Sequence, residues 1–526
     1  MSMSATKCET AKFILGLRVC AALGVFLGLF GPRGLSAGPA HADHTEGIGS
    51  SGTLHAAHQH SPMMAEAANS VGDLSQHSFP TGGKGLPTAK PTEEISLKSG
   101  AVVDLKLAPV RKKIGSRWVR MLAYDGSVPG PVFRVRQGAE VRLRLHNHGD
   151  TGTTLHTHGV RLNNAFDGVP GLTQETQGIG ETFEYRLKFP DPGVYWYHPH
   201  VRTDYAVASG LYGTVVVTPS DPAYWPPVNR ETVLVLADVA LDPSGDRIPF
   251  FKGLTDHALM GRYGDTLLVN GESDYRLAAK RGETVRLYLT NAANARTFNL
   301  AIPGVRMKQI GADLGRYWKE TWVDSVILAP GERRVVDVLL DKPGRYPLQN
   351  LTPGKTYRLG TVTVEERAVK RSYAREFSRL RTVGLDVGSG ATLEQLLANE
   401  PQKYLNLTLE MDHALMGNDT SHEHGVHRMP DGTLMNHAAM EGDQPGSGIE
   451  WEDTMATMNR ASTSKTVLWK MVDGTSGKEN MGIDSWNFSR GKKIKIRLFN
   501  DPKAPILCSI RSIFMVSVSW CWLRTG

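Results

Sequence analysis

Two short histidine pairs are the residues best suited to chemistry: His156-Thr157-His158 and His198-Pro199-His200. In a strand, residues two apart project to the same face, so each His-x-His is a two-pronged claw. Claws on neighbouring strands can gather four imidazoles, a donor set for metals that favour nitrogen. One such pair arises easily by chance. Two of them are specific when Asp167-Gly168-Val169-Pro170-Gly171-Leu172-Thr173-Gln174 lies between and Gly210-Leu211-Tyr212-Gly213 follows.

A second group offers softer donors. Met411, Met416, Met429, Met435, Met440, Met455 and Met458 are interleaved with His413, His422, His424, His427 and His437. Thioether sulfur suits Cu(I), although the same residues could serve a loose loop or core packing. His55, His58, His60, Met63 and Met64 could likewise capture metal or lie in plain disorder. The hexapeptide Asp-His-Ala-Leu-Met-Gly occurs at 256–261 and again at 412–417, and its composition suggests no chemistry.

These groups need strands to position them, and the sequence repeats its strands. A Gly, an alternation of apolar and mostly basic residues, and an Asn nine positions after the Gly recur at Gly138–Asn147, Gly282–Asn291 and Gly491–Asn500. Such alternation predicts a strand with one buried face. Pro-Gly-x-Tyr recurs at Pro192–Tyr195 and Pro343–Tyr346, each before a further strand, Leu211–Val217 and Arg358–Val364. Units of about 140 residues built this way predict tandem β-sandwiches. We expect them at 96–222, 228–366 and 404–526, with a charged linker at 367–403 that could be helical. The third is short, holding the first repeated element and not the second.

The repeat also separates the claws from a look-alike. His146-Asn147-His148-Gly149 has the right letters, but Asn147 aligns with Asn291 and Asn500, so this pair ends a strand. The middle unit acts as an internal control. It has Gln349 where the first has His198, and the run Ala292 to Leu300 contains no histidine.

Bulk properties narrow the setting. The 526 residues suffice for about three domains, and a formal charge of +7, with both signs interspersed, offers no nucleic-acid patch. Lys7, Lys12 and Arg18 precede the apolar run Val19 to Phe30 and the small-x-small site Ala40-His41-Ala42, which reads as a cleaved export signal without stable membrane insertion. A periplasmic or extracellular location follows, with 43–95 as a flexible His- and Met-containing leader. The four cysteines, Cys8, Cys20, Cys508 and Cys521, leave the body without a disulfide framework.

On its histidine motifs, the stretch from about 96 to 505 resembles the multicopper oxidases, the family of laccases and cuprous oxidases. The resemblance implies tandem cupredoxin-like Greek-key sandwiches in an all-β fold, two complete and a third truncated. It implies His156 on a type 2 copper and His158, His198 and His200 on the type 3 pair, half of a trinuclear site. It makes Asp167 the acid that hydrogen-bonds cluster water and supplies protons. The middle domain becomes a structural spacer. In this family Met-rich third-domain segments accompany oxidation of cuprous ions. That assigns Met411, Met416, Met429, Met435, Met440, His422, His424 and His427 to copper handling, with copper resistance as the role.

The resemblance also implies a third-domain His-Pro-x-His-x-His-Gly motif and a His-Cys-His motif for the type 1 centre, and neither is in this sequence. Back-translation of Pro505 through Trp522 in a shifted frame allows HPMQHPIHFHGQRFLVL, so we expect a frameshift near Ala504. The expected activity is one-electron oxidation of Cu(I) or phenolic reductants coupled to reduction of dioxygen to water. The sequence as written should lack turnover. The alternative is an envelope protein that binds or sequesters copper without turnover.

Overall fold

A computed structural model describes residues 77–313, 315–383, 395, 398–411, 426–428, 434–436, 449–484, 486–489 and 494–500. The expected signal segment, the leader before His77 and the tail from 501 lie outside the described residues. Among those described, no helix is long and apolar enough to cross a membrane.

The first sandwich is built from β1 (Glu94–Leu97), β2 (Val102–Ile114), β3 (Arg117–Tyr124), β4 (Val132–Arg136), β5 (Glu140–Asn147), β6 (His156–His158), β7 (Thr182–Lys188), β8 (Gly193–His198) and β9 (Gly213–Thr218). They form two sheets, ordered β3-β2-β5-β7 and β1-β4-β9-β8-β6. Period-two alternation drives the packing. Val141, Leu143 and Leu145 of β5 point inward to meet Tyr195 and Tyr197 of β8 and Val215 and Val217 of β9. Between Arg230 and Ala368 the plan recurs, with a six-stranded sheet facing a five-stranded one over a second core.

The repeated Gly-to-Asn segment has the same place each time. β5 pairs parallel with β2, Glu283–Asn291 pairs parallel with Arg230–Val239, and Ile496–Asn500 pairs parallel with Lys403–Met411. The terminal Asn has a structural job. Asn147 Nδ2 donates to the carbonyls of Thr151, Gln177 and Gly178, and its Oδ1 accepts from Gly149 N. Asn291 does the same for Arg296 O, Leu328 O and Ala293 N. A buried amide that satisfies three or four backbone groups ties two loops to the strand end. In the Pro-Gly-x-Tyr repeat, Tyr195 donates to Asp191 O and Tyr346 to Lys342 O, each four residues upstream.

The third sheet places Lys403–Met411 between Val467–Asp473 and Ile496–Asn500, reproducing the order β3-β2-β5. Among the described residues it has no counterpart of β7.

Three expectations need correction. The alternation in Glu283–Asn291 does not leave one face in water: every residue is buried. Its second face packs on the first sandwich, where Val119, Met121, Val194 and Trp196 meet Trp225, Val235, Tyr288 and Val335. Arg286 is buried there in a two-pronged pair with Asp337 at 2.9 and 3.0 Å. Order does not wait for Ile95. Phe79 is buried and stacked on Tyr205 at 3.8 Å, since one aromatic can anchor a segment that has no periodicity. The expected linker is partly docked as well. Arg381 pairs with Glu320, and Val383 N donates to Trp318 O, so the chain as far as 383 lies on the second sandwich.

The first Asp-His-Ala-Leu-Met-Gly copy joins the second and third units. Ala258, Leu259 and Met260 are buried against Leu409, Met455, Met458, Val467 and Trp469. Trp469 Nε1 donates to Ala258 O, Asn459 Oδ1 accepts from Met260 N, and Asn459 Nδ2 donates to Gly261 O. The second copy lies outside the described residues.

Candidate metal centre

The two claws come from adjacent strands. β6 pairs antiparallel with β8, placing His156 directly across from His198 and His158 across from Trp196. Directly opposed residues share a face. On β8, Tyr195 and Tyr197 fill the core of the sandwich, so Trp196 and His198 project the other way, toward the second domain. His200 follows after Pro199, its backbone N–H donating to Thr154 Oγ1 at 3.3 Å. Thr154 Oγ1 donates in turn to Gly168 O at 2.6 Å. Sequence reasoning missed Thr154, whose role shows only once the loops are in place.

All four histidines are buried. Nitrogens of His156, His198 and His200 lie within 4.8 Å of one another. His158 Nδ1 is 3.4 Å from His198 Nε2. The His156 and His200 rings stack at 4.3 Å, and Trp196 stacks on His198 at 4.0 Å.

The Asp167 loop fixes His156. Asn163 caps the short 3-10 turn Asn164–Phe166, which delivers Asp167 to the ring. His156 Nδ1 lies 2.8 Å from Asp167 O and 3.0 Å from Asp167 Oδ1. An Nδ1 proton shared with these oxygens would let Nε2 serve as a metal donor, the usual outer-shell arrangement for a ligating histidine. Gly168 permits this approach. A Cβ there would stand 2.1 Å from Leu155 O, so only glycine lets the loop lie on the backbone leading into His156.

Burial holds the His158 and His198 imidazoles neutral. It pushes His198 down to about 4, helped by the nearby Arg333 guanidinium. Burial, then Arg333, then the other three imidazoles push His158 well below the ordinary histidine value. Neutral imidazole is the ligating form. His158 Nε2 is buried with no hydrogen-bond partner, and such an orphaned nitrogen beside three converging imidazoles fits a bound metal cluster.

The look-alike pair stands apart. His146 bonds Asp104 and Thr182 on the outer face of β5, and His148 is exposed. In the middle domain Gln349 pairs with Ala301, so the counterpart of His156 lies one residue beyond the run read from sequence and carries no donor.

The methionine-rich group divides. Met455 and Met458 are buried with Met260 and Trp469, with Met411 partly buried beside them, which is core packing. The backbone of His427 and Met435 belongs to a two-stranded ribbon. Met416, Met429, Met440, His422 and His424 lie outside the described residues.

Family profiles described as multicopper oxidase match residues 110–222 and 231–365. The multicopper oxidase MmcO of Mycobacterium tuberculosis is 31% identical over 290 residues, covering 49% of this chain and 55% of that protein. A copper resistance protein A homolog of Pseudomonas syringae pv. tomato is 29% identical over 310 residues, 50% of this chain and 52% of its own length. A crystal structure of a multi-copper oxidase from Pseudomonas thermotolerans is 27% identical with a TM-score of 0.50, covering 60% of this chain and 73% of that one. The chain belongs to the multicopper oxidase family, with its cupredoxin-like sandwiches and its copper cofactor. It spans about half the length of the curated relatives it matches.

Proposed function

We propose that the four buried histidines are one half of a trinuclear copper site, and that the whole protein couples one-electron oxidation of a reductant to reduction of dioxygen to water. The observation that carries this is the register of β6 against β8, which brings two buried claws together. Cu(I) and phenolic compounds are the reductant classes, and copper homeostasis or resistance outside the cytoplasm is the role. Similarity to a copper resistance protein homolog supports that assignment.

His156 would take the type 2 copper through Nε2, while His158, His198 and His200 would serve the type 3 pair. Bound copper supplies one-electron steps and a place for dioxygen reduction. The rest is the work of the chain. The sandwich core holds the claws rigid, Trp196 covers one face of His198, and the second domain closes off water on that side. Asp167 is buried enough to orient His156, yet its side chain keeps 13% exposure. A carboxylate in that position can hold a proton beside the cluster and exchange it with solvent.

The sequence as written is expected to hold copper without turnover. The test is therefore oxygen uptake with Cu(I) as reductant by a protein in which the third-domain copper motifs have been restored, read beside its copper stoichiometry. Uptake that disappears in His156→Ala supports the oxidase. Stoichiometric copper binding with no oxygen uptake supports the sequestration reading instead.

A further inference from the structure

We propose that Arg333 of the second sandwich is a positioning residue for the histidine claws of the first. The inference rests on reading His158 and His198 as copper ligands. Arg333 begins the strand Arg333–Leu340 and is 3% exposed. Its Nε donates to Val194 O on β8 at 3.3 Å. Its NH1 donates to Gly331 O at 2.8 Å and pairs with Asp313 at 3.1 Å, anchoring the guanidinium in its own domain.

The other side of the fork lies against the His158 strand. A Cβ on Gly159 would sit 2.4 Å from Arg333 NH2 and 3.4 Å from the Tyr195 ring. The glycine after the first claw is therefore the surface on which the guanidinium rests. One side chain grips both ligand strands, β8 through the Val194 carbonyl and the exit of β6 through bare backbone. Planar, five-donor arginine suits this two-sided contact, and lysine offers only a point charge. The grip also explains what a middle domain without copper ligands contributes: it sets the spacing of its neighbour's claws.

The test uses the full chain and Cu(II), with affinity from chelator competition and the electron paramagnetic resonance spectrum as readouts. Arg333→Met should weaken Cu(II) at the histidine site by roughly 10–100-fold, as loss of an outer-shell partner does, and should change the spectrum. Arg333→Lys should recover part of the affinity and leave the spectrum altered. Gly159→Ala should reproduce the spectral change from the other side of the contact. In Gly159→Ala/Arg333→Met the clash is gone, so the two losses should be less than additive. The positive φ of Gly159 is present in both alanine variants and cancels from that comparison. If Arg333→Met does not fold, the lysine and alanine variants carry the same test. An unchanged spectrum and affinity in folded Arg333 variants, while His158→Ala loses copper, would overturn the positioning role alone. If His158→Ala also keeps its copper signal, the site reading itself fails.

Discussion

His156 stands directly across from His198 in the antiparallel pairing of β6 with β8. That one register turns two sequence motifs forty residues apart into a single cluster. A slip of one residue would turn every side chain of β6 to the opposite face and separate the claws. The pairing is held from outside the histidines. Tyr185 Oη accepts from Leu155 N just before His156, and Asn147 tethers the loop that leads into β6.

The Asp167 side chain is expected to refine the site without creating it. Its backbone carbonyl already holds His156 Nδ1 at 2.8 Å, so Asp167→Ala should keep the ring's tautomer. Copper affinity should fall by about 10-fold, the low end of outer-shell effects. Chelator competition checks this, and a loss as large as that of His156→Ala would contradict it.

The two strand-end asparagines should separate stability from metal binding. Asn147→Ala and Asn291→Ala each strip a buried amide from several backbone groups and should cost about 3 kcal/mol in denaturant unfolding. Only Asn147→Ala loosens the 147–151 loop beside the claws, so only it should also weaken copper binding.

Acid should destabilise the copper-free protein through its buried histidines. An unfolded His198 takes up a proton near 6.5, whereas the folded residue resists until about 4. The unfolded state therefore binds more protons between those values. Stability is intact above about pH 6.5 and falls as pH drops toward 4, by about 3 kcal/mol from this residue. His158 shifts the same way and adds to the loss. Denaturant curves at pH 7 and pH 4.5 measure it, and His198→Gln should flatten part of the dependence.

The strap between the second and third units should come loose at Asn459. This buried amide bonds Met260 N, Gly261 O and Asp453 Oδ2. Asn459→Ala should let the third sheet unfold ahead of the two sandwiches, seen as a biphasic transition and early proteolysis near 256–261. A single unshifted transition would show that the strap carries no stability.

Much of this was legible in the residues because its physics is local. Alternation announced the strands, and the Asn repeat separated the strand-end pair at His146 from the two pairs that converge. What sequence did not disclose depends on one part of the chain meeting another. Glu283–Asn291 alternates yet is buried on both faces, because the first sandwich packs on its polar side. Phe79 anchors a segment with no periodic signal. Met455 and Met458 could be read as soft donors or as core and lie in the core, since composition does not tell a thioether facing solvent from one facing Trp469. Arg333 lies 133 positions beyond His200 in sequence, and only the folded domain contact brings it to the site.

The most direct test is copper binding by the histidine cluster itself. Full-length protein is loaded with Cu(II), washed with a weak chelator, and compared with His156→Ala/His198→Ala by metal content and by the nitrogen hyperfine pattern of its resonance spectrum. The account predicts imidazole-bound copper in the parent and loss of that signal in a variant that remains folded. Retention of the same histidine-type signal in the folded variant would contradict the claim that these two claws hold the metal.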